Sequence, residues 1–245
     1  MLFDFSGRTL LLTGALGGIG SEIARLFARA DANLVLADRD ADRGAEFAER
    51  LPGRGRKISC AFDATDPASS EAVIDRAVSS FGTLDFVVPS AGIYLAEPFA
   101  TMTDDQWRRT ISVNLDGVFR ILNRAAPHLA ENSAIVNITS LAGHRGAFEN
   151  AHYSASKGAL TSLTRSLARE LAPKTRVNAV APGIIETEMT RDLLSDRGDK
   201  TIADTPLRRF GRPEEIASVV AFLCSDAASF ITGETIQANG GIHMA

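Results

Sequence analysis

A chain of 245 residues with 45% hydrophobic content can bury a full core as one α/β domain of upper-range size. Its net charge of −4 is spread over the whole length without a basic run, which argues against nucleic acid and anionic membranes as partners. The two cysteines, Cys60 and Cys224, sit in apolar segments with no metal-ligand spacing. The start MLFDFSGRTLLLTG lacks the features of a secretory signal, and no run of about 18 apolar residues occurs, so a reduced, cytoplasmic, metal-free protein is expected.

Short apolar runs recur at 9–13, 33–37, 58–62, 84–88, 134–138, 176–181 and 235–238, each reading as a strand buried on both faces. Between them lie stretches of helical period. Ile19, Ile23, Leu26, Phe27 and Ala30 trace one apolar face, and Trp107, Ile111, Leu115, Val118 and Leu122 trace another. Alternating strands and helices imply βαβ units with right-handed crossovers, hence a doubly wound parallel sheet with helices on both sides. The least regular stretch, 186–212, reads as a movable cap over a site or as an ordinary surface connection.

The first strand runs into Thr13-Gly14-Ala15-Leu16-Gly17-Gly18-Ile19-Gly20, and an amphipathic helix follows. Strand, glycine turn and helix in that order suit a dinucleotide pyrophosphate: the turn lets the backbone approach closely, and the helix N-terminus offers free N–H groups. The second strand ends at Asp38-Arg39, about twenty residues past the turn, where a carboxylate accepts hydrogen bonds from ribose hydroxyls and repels a 2′-phosphate. Positions 15–17 hold no basic residue, although Arg39 could partly offset the repulsion. NAD is therefore favoured over NADP.

Tyrosine occurs only at 94 and 153 and lysine only at 57, 157, 174 and 200, yet Lys157 falls four residues after Tyr153 in the helical segment AHYSASKGALTSLTRSLAREL. Residues i and i+4 share a face, so the phenol and the ammonium can address one site, where the cation favours the phenolate. Upstream, the strand AIVNITS ends at Ser140, on the carboxyl edge of the sheet where doubly wound folds bind ligands. Asn114 is a polar residue in an apolar helical run, which calls for a specific hydrogen-bond partner.

In their order, TGALGGIG, Asp38, Asp63, SAG at 90–92, Asn114, Ser140, Tyr153-Ser-Ala-Ser-Lys157, Pro182-Gly183-Ile-Ile-Glu-Thr187 and ITGETIQANGG at 231–241 resemble the short-chain dehydrogenases/reductases across essentially the whole chain. The resemblance implies a single-domain Rossmann fold with strand order 3-2-1-4-5-6-7 and a catalytic set of Asn114, Ser140, Tyr153 and Lys157. Tyr153 would be the acid/base and Ser140 would orient the substrate oxygen. Lys157 would bind the nicotinamide ribose and depress the tyrosine pKa, and Asn114 would hold a water linking Lys157 to solvent. Gly14, Leu16, Gly18, Ile19 and Gly20 would cradle the cofactor, with Asp38 and Arg39 at the adenosine ribose, Asp63 and Ala64 at the adenine, Ala91 and Gly92 beside it, and Ile185 and Thr187 at the carboxamide. One departure stands out: where the family usually has Asn-Asn-Ala-Gly, this chain has Pro89-Ser90-Ala91-Gly92, so altered bonding at the sheet centre and weaker adenosine binding are expected.

By resemblance the substrate pocket is walled by Ile93, Tyr94, the turn 141–146, Asn150 and the stretch 186–210. His144 and Arg145 either favour an anionic substrate group or are solvated loop residues. The resulting expectation is hydride transfer between NAD(H) and a small secondary alcohol or ketone. An NADPH-dependent 3-oxoacyl-carrier-protein reductase is the alternative, although its usual basic docking stretch reads HLAENSAIV here. A non-catalytic nucleotide sensor would have discarded the catalytic set, and a sugar-nucleotide epimerase or dehydratase would carry a longer segment after Gly241. Small residues at Ala151, Ala155, Gly158, Ala159 and Ser162 leave the catalytic helix a surface suited to close packing in a homotetramer.

Overall fold

The structure, a computed structural model, describes residues 3–191 and 201–244. Seven strands form one parallel sheet: β1 (Thr9–Thr13), β2 (Asn33–Asp38), β3 (Lys57–Ala61), β4 (Leu84–Pro89), β5 (Leu129–Ile138), β6 (Thr175–Pro182) and β7 (Thr235–Ala238). Their order is β3-β2-β1-β4-β5-β6-β7, the doubly wound arrangement expected. The chain reverses its direction of build between β1 and β4, and Thr13 at the end of β1 pairs with Ala37 on one side and Pro89 on the other. A crevice therefore opens at the carboxyl ends of these strands, beside the glycine turn.

Strand side chains alternate between two buried layers, which explains the continuous apolar runs. Leu10, Leu12, Leu34, Leu36, Phe86 and Val88 face α1 (Gly18–Arg29) and the C-terminal helix Pro213–Cys224. Leu11, Val35, Val87, Ile135 and Val177 face the opposite layer. That layer is built by α3 (Pro67–Phe81), α5 (Gly117–Ala125) and α7 (Ala151–Glu170), and α2 (Ala41–Arg50) lies between β2 and β3 in sequence. Helix starts follow local chemistry. Asp40 accepts the Arg43 N–H at the head of α2, Asp66 precedes Pro67 and caps α3, and Thr103 with Gln106 forms a capping box on α4 (Asp104–Ile111). The short α6 (Ala142–Arg145) follows β5, and Pro213–Cys224 is α8.

Three details differ from the sequence reading. β5 starts at Leu129 rather than 134, its polar beginning reaching β4 through an irregular register between Leu84 and Phe86. Of the expected helical face, Val118 and Leu122 are buried, but Ile111 and Leu115 are only partly so and Trp107 is exposed, while Thr110 and Asn114 are fully buried. The reason is a π-helical turn over Ser112–Asp116 between α4 and α5, which rotates the phase of the buried stripe. Finally, Gly158, expected on a free packing face, is already used inside the chain: a side-chain carbon at Gly143 would lie 2.8 Å from its backbone nitrogen, so α6 rests directly on α7.

Phe27 is fully buried against Phe5 and Phe86, with ring centroids 4.7 and 5.7 Å away. Phe27→Ala is expected to cost about 3–5 kcal/mol, read from the midpoint of urea unfolding at unchanged slope.

Candidate active site

The glycine turn connects β1 to α1 in a conformation that side chains resist. Gly14 has φ +66, and a side-chain carbon there would lie 2.7 Å from the Ala91 backbone nitrogen, so the chain after β4 crosses the turn in direct contact. α1 begins from Gly17 with no side-chain cap and no acidic residue in its first turn. Uncapped N–H groups and the positive dipole end therefore face the crevice, the donor set that a dinucleotide pyrophosphate requires. Leu16 and Ile19 flank the turn, Gly20 packs against the Gly14 carbonyl, and Gly18 faces Thr187 from the loop after β6.

Asp38 stands at the end of β2 with its carboxylate oriented by two backbone donors, Leu16 N–H at 2.9 Å and Arg39 N–H at 2.8 Å. Each oxygen retains acceptor capacity for hydroxyl groups. The Arg39 side chain is exposed, and its charge helps to lower the Asp63 carboxyl pKa, after the larger effects of the Thr65 hydroxyl and N–H. Ala64 is buried under Gly117, and its carbonyl accepts from Arg120 at 2.9 Å. At Pro89 the altered bonding takes a definite form: Thr13 receives both following N–H groups, Ser90 on its carbonyl at 3.2 Å and Ala91 on its hydroxyl at 3.3 Å.

The four catalytic candidates converge beyond the ends of β4 and β5. Tyr153 and Lys157 lie one turn apart on α7, with Lys157 Nζ 5.7 Å from the centre of the tyrosine ring. Ser140, which follows β5, stands close enough to the Tyr153 phenol to favour its phenolate. Lys157 is 6% exposed and donates to the Ile138 carbonyl at 2.9 Å. Asn114 is fully buried in the π turn and answers the search for its partner. Its Oδ1 accepts the Ile93 N–H at 2.8 Å and its Nδ2 donates to the Ile93 carbonyl at 2.9 Å. Gly92 sits between the two halves of the site, for a side-chain carbon there would lie 3.3 Å from Asn114 Oδ1 and 3.8 Å from Lys157 Nζ.

Burial disfavours the charged form of each member of the pair. The Tyr153 phenol is pushed up to about 12, with Ser140 opposing the shift and Tyr94 adding to it. The Lys157 ammonium is pushed down to about 8. The resting site thus presents a protonated phenol, a ready proton donor, beside an ammonium that is charged below about pH 8.

Among the remaining expected residues, Ile185 is buried, bridges Gly211 and gives its carbonyl to the Thr190 hydroxyl, while Thr187 caps the short helical turn Glu188–Thr190. Part of the expected cap, 192–200, lies outside the described residues. The His144 ring lies 3.2 Å from the Gln237 amide and 5.4 Å from the His243 ring, and burial together with His243 lowers its pKa. Arg145 is exposed. Sequence reasoning missed Glu97 and His152, a buried pair 2.7 Å apart immediately beside Tyr153. The only sequence signal was an ionisable residue directly preceding the catalytic tyrosine. No group of three metal-ligating side chains and no helix long and apolar enough to cross a membrane occurs among the described residues.

With Tyr153 as the expected proton donor and Lys157 as the charge beside it, carbonyl reduction would draw on the protonated phenol and the charged lysine together. Its kcat/KM is expected to stay level from pH 6 to 7 and to fall above about pH 8 as Lys157 loses its proton, a profile read from initial rates in constant-ionic-strength buffers.

Residues 14–243 match the family profile described as enoyl-(acyl carrier protein) reductase. The 3-oxoacyl-[acyl-carrier-protein] reductase of Salmonella typhimurium is 38% identical over 244 residues, covering 98% of this chain and 99% of that protein. The cis-4-hydroxycyclohexanecarboxylate dehydrogenase of Sinomonas cyclohexanicum is 40% identical over 244 residues, covering 97% of each. Among solved structures, a short-chain dehydrogenase/reductase from Brucella melitensis, titled glucose/ribitol dehydrogenase, superposes with a TM-score of 0.97 at 58% identity over 100% of both chains. Sheet order, glycine turn and the converging side chains agree with these likenesses, and the chain belongs to the short-chain dehydrogenase/reductase family, NAD(P)-dependent oxidoreductases acting on CH–OH groups.

Proposed function

We propose that this protein interconverts a small secondary alcohol and its ketone with NAD(H), Tyr153 serving as the acid/base. The observation that carries this reading is Tyr153 set beside Ser140 and one helical turn from a buried Lys157, at the edge of the crevice headed by the glycine turn. The bound nicotinamide supplies or accepts the hydride at the carbinol carbon. In reduction, Ser140 and Tyr153 both hold the carbonyl oxygen, and Tyr153 gives it the proton that completes the alcohol. In oxidation the phenolate takes that proton back. Lys157 stabilises the phenolate through its charge and holds the nicotinamide ribose, and Asn114 fixes Ile93 and supports the water that relays protons from Lys157.

Gly14, Leu16, Gly18, Ile19 and Gly20 hold the pyrophosphate, Asp63 and Ala64 the adenine, Ala91 and Gly92 the adjoining ribose, and Ile185 and Thr187 the carboxamide. NAD is preferred because Asp38 presents its carboxylate where a 2′-phosphate would sit, while the Arg39 charge is partly engaged by Asp63. The pocket is walled by Ile93, Tyr94 and Asn150, with residues 186–191 and 201–212 of the single domain as its cap. The similarity to a cis-4-hydroxycyclohexanecarboxylate dehydrogenase supports a compact secondary alcohol, there carried on a ring that also bears a carboxylate. Carrier-protein reductase activity is the second reading, favoured by the relatives of that name. Cytoplasmic residence and a homotetramer complete the proposal, with exposed Ala155 and Ser162 as the packing face left on α7.

Screening cyclic and acyclic ketones at 340 nm with NADH and NADPH tests the reading. Tyr153→Phe is expected to lower kcat by about 10²–10⁴-fold while the NADH dissociation constant, read by fluorescence, stays within about twofold; near-normal turnover would end the assignment. In Asp38→Ala the preference for NADH over NADPH should fall by about tenfold or more, and a wild-type preference for NADPH would refute the role given to Asp38.

A further inference from the structure

A charged network lies behind the catalytic tyrosine and takes no part in the chemistry above. Glu97, from the segment between β4 and α4, is 8% exposed. One carboxylate oxygen accepts from Arg109 Nη2 on α4 at 2.7 Å and the other meets His152 Nε2 on α7, also at 2.7 Å. His152 is fully buried and immediately precedes Tyr153. A carboxylate only accepts, so Nε2 of His152 carries the proton. His152 Nδ1, equally buried, has no hydrogen-bond partner among the described residues. The Glu97 backbone joins in, its N–H donating to the Glu149 carbonyl at 2.7 Å.

Such a cluster is a poor way to gain stability. Desolvating a carboxylate, a histidine and part of a guanidinium offsets most of their mutual attraction, and the unpaired Nδ1 adds a further cost. What the cluster does provide is geometry. The segment that ends at Glu97 carries Tyr94, whose ring meets the Tyr153 ring edge-on at 4.8 Å with an 85° interplanar angle. Asn150, at the head of α7, donates to the Tyr94 hydroxyl at 3.2 Å. α7 itself begins without a side-chain cap. The Glu97–His152 hydrogen bond therefore supplies a fixed attachment to a helical turn that otherwise begins uncapped, and Tyr153 sits in that turn.

We infer that Glu97, gripping His152 on one side and Arg109 on the other, is a positioning residue that fixes Tyr153 and its Tyr94 wall against the substrate oxygen. The inference rests on the reading of Tyr153 as the acid/base. His152 is the working arm, since it reaches α7, and Arg109 orients the carboxylate from the half-exposed side. An amide at 97 can keep Arg109 on its Oε1 only by turning its NH₂ to His152, which must then carry its proton on the buried, unpartnered Nδ1, so Glu97→Gln weakens the His152 contact without changing shape.

Three variants, compared as folded proteins of matched Tm, test this. Glu97→Gln and His152→Leu are expected to lower kcat for the ketone found by screening by about tenfold or more, with KM for NADH within about twofold, since displacement by about 1 Å costs on the order of 10²-fold. His152→Gln, whose amide can replace the Nε2–H donor, should keep turnover within about threefold of wild type. A second readout needs no substrate. With two tyrosines in the chain, ¹³Cζ-tyrosine labelling gives two resonances, assigned by Tyr94→Phe, and both should move in Glu97→Gln and His152→Leu but not in His152→Gln. Unmoved tyrosine resonances in His152→Leu, or wild-type kcat in that variant, would overturn the inference. If Tyr153→Phe itself remains active, the acid/base assignment fails instead, and the resonances still report on the clamp.

Discussion

The site depends on holding one ammonium inside the protein. Lys157 is nearly inaccessible to water, and its Nζ is anchored on the last carbonyl of β5. Burying a cation without a carboxylate partner is costly, and the cost appears here as a pKa pushed down to about 8. The surrounding structure makes that placement feasible. α6 lies flat on α7 because Gly143 and Gly158 permit backbone contact, and Gly92 leaves open the space between Lys157 and Asn114. A side chain at either contact would move the lysine and, one turn away, the tyrosine.

Around this charge the fold builds three supports from different parts of the chain. The π turn delivers Asn114 to the Ile93 backbone, so the segment leaving β4 is fixed at its start. Further along, that same segment is fixed by Glu97 to α7. Ser140, at the end of β5, stands beside the Tyr153 phenol from the sheet. Acid, orienting hydroxyl and cation are thereby attached to rigid elements rather than to loops alone, as proton transfer in a narrow geometry requires. Tyr153 and Lys157 are each held toward the uncharged form by burial, so each favours the other's ionisation when the phenolate forms.

Much of this was legible in the sequence because the signals are local. Parallel strands buried on both faces leave apolar runs such as TLLLT and NLVLA, glycine turns are written in consecutive residues, and a tyrosine and lysine four apart must share a helical face. What stayed hidden depends on distant partners. His152 meets a carboxylate 55 positions upstream, and His144 meets the Gln237 amide 93 positions downstream. The phase of the Asn114 helix was also misjudged, because one π turn shifts the stripe and a regular 3.6-residue period cannot anticipate it. The hydrogen bonds of the residues after Pro89 likewise go to a distant partner, Thr13 of the neighbouring strand.

The central claim is that Lys157 is a buried, titratable cation coupled to Tyr153. With lysines only at 57, 157, 174 and 200, its side-chain resonance can be identified by its loss in Lys157→Met and followed through pH by ¹³C NMR. A midpoint near pH 8 for this lysine, well below the ordinary lysine range, is the result predicted. Titration of Lys157 together with the surface lysines would contradict it.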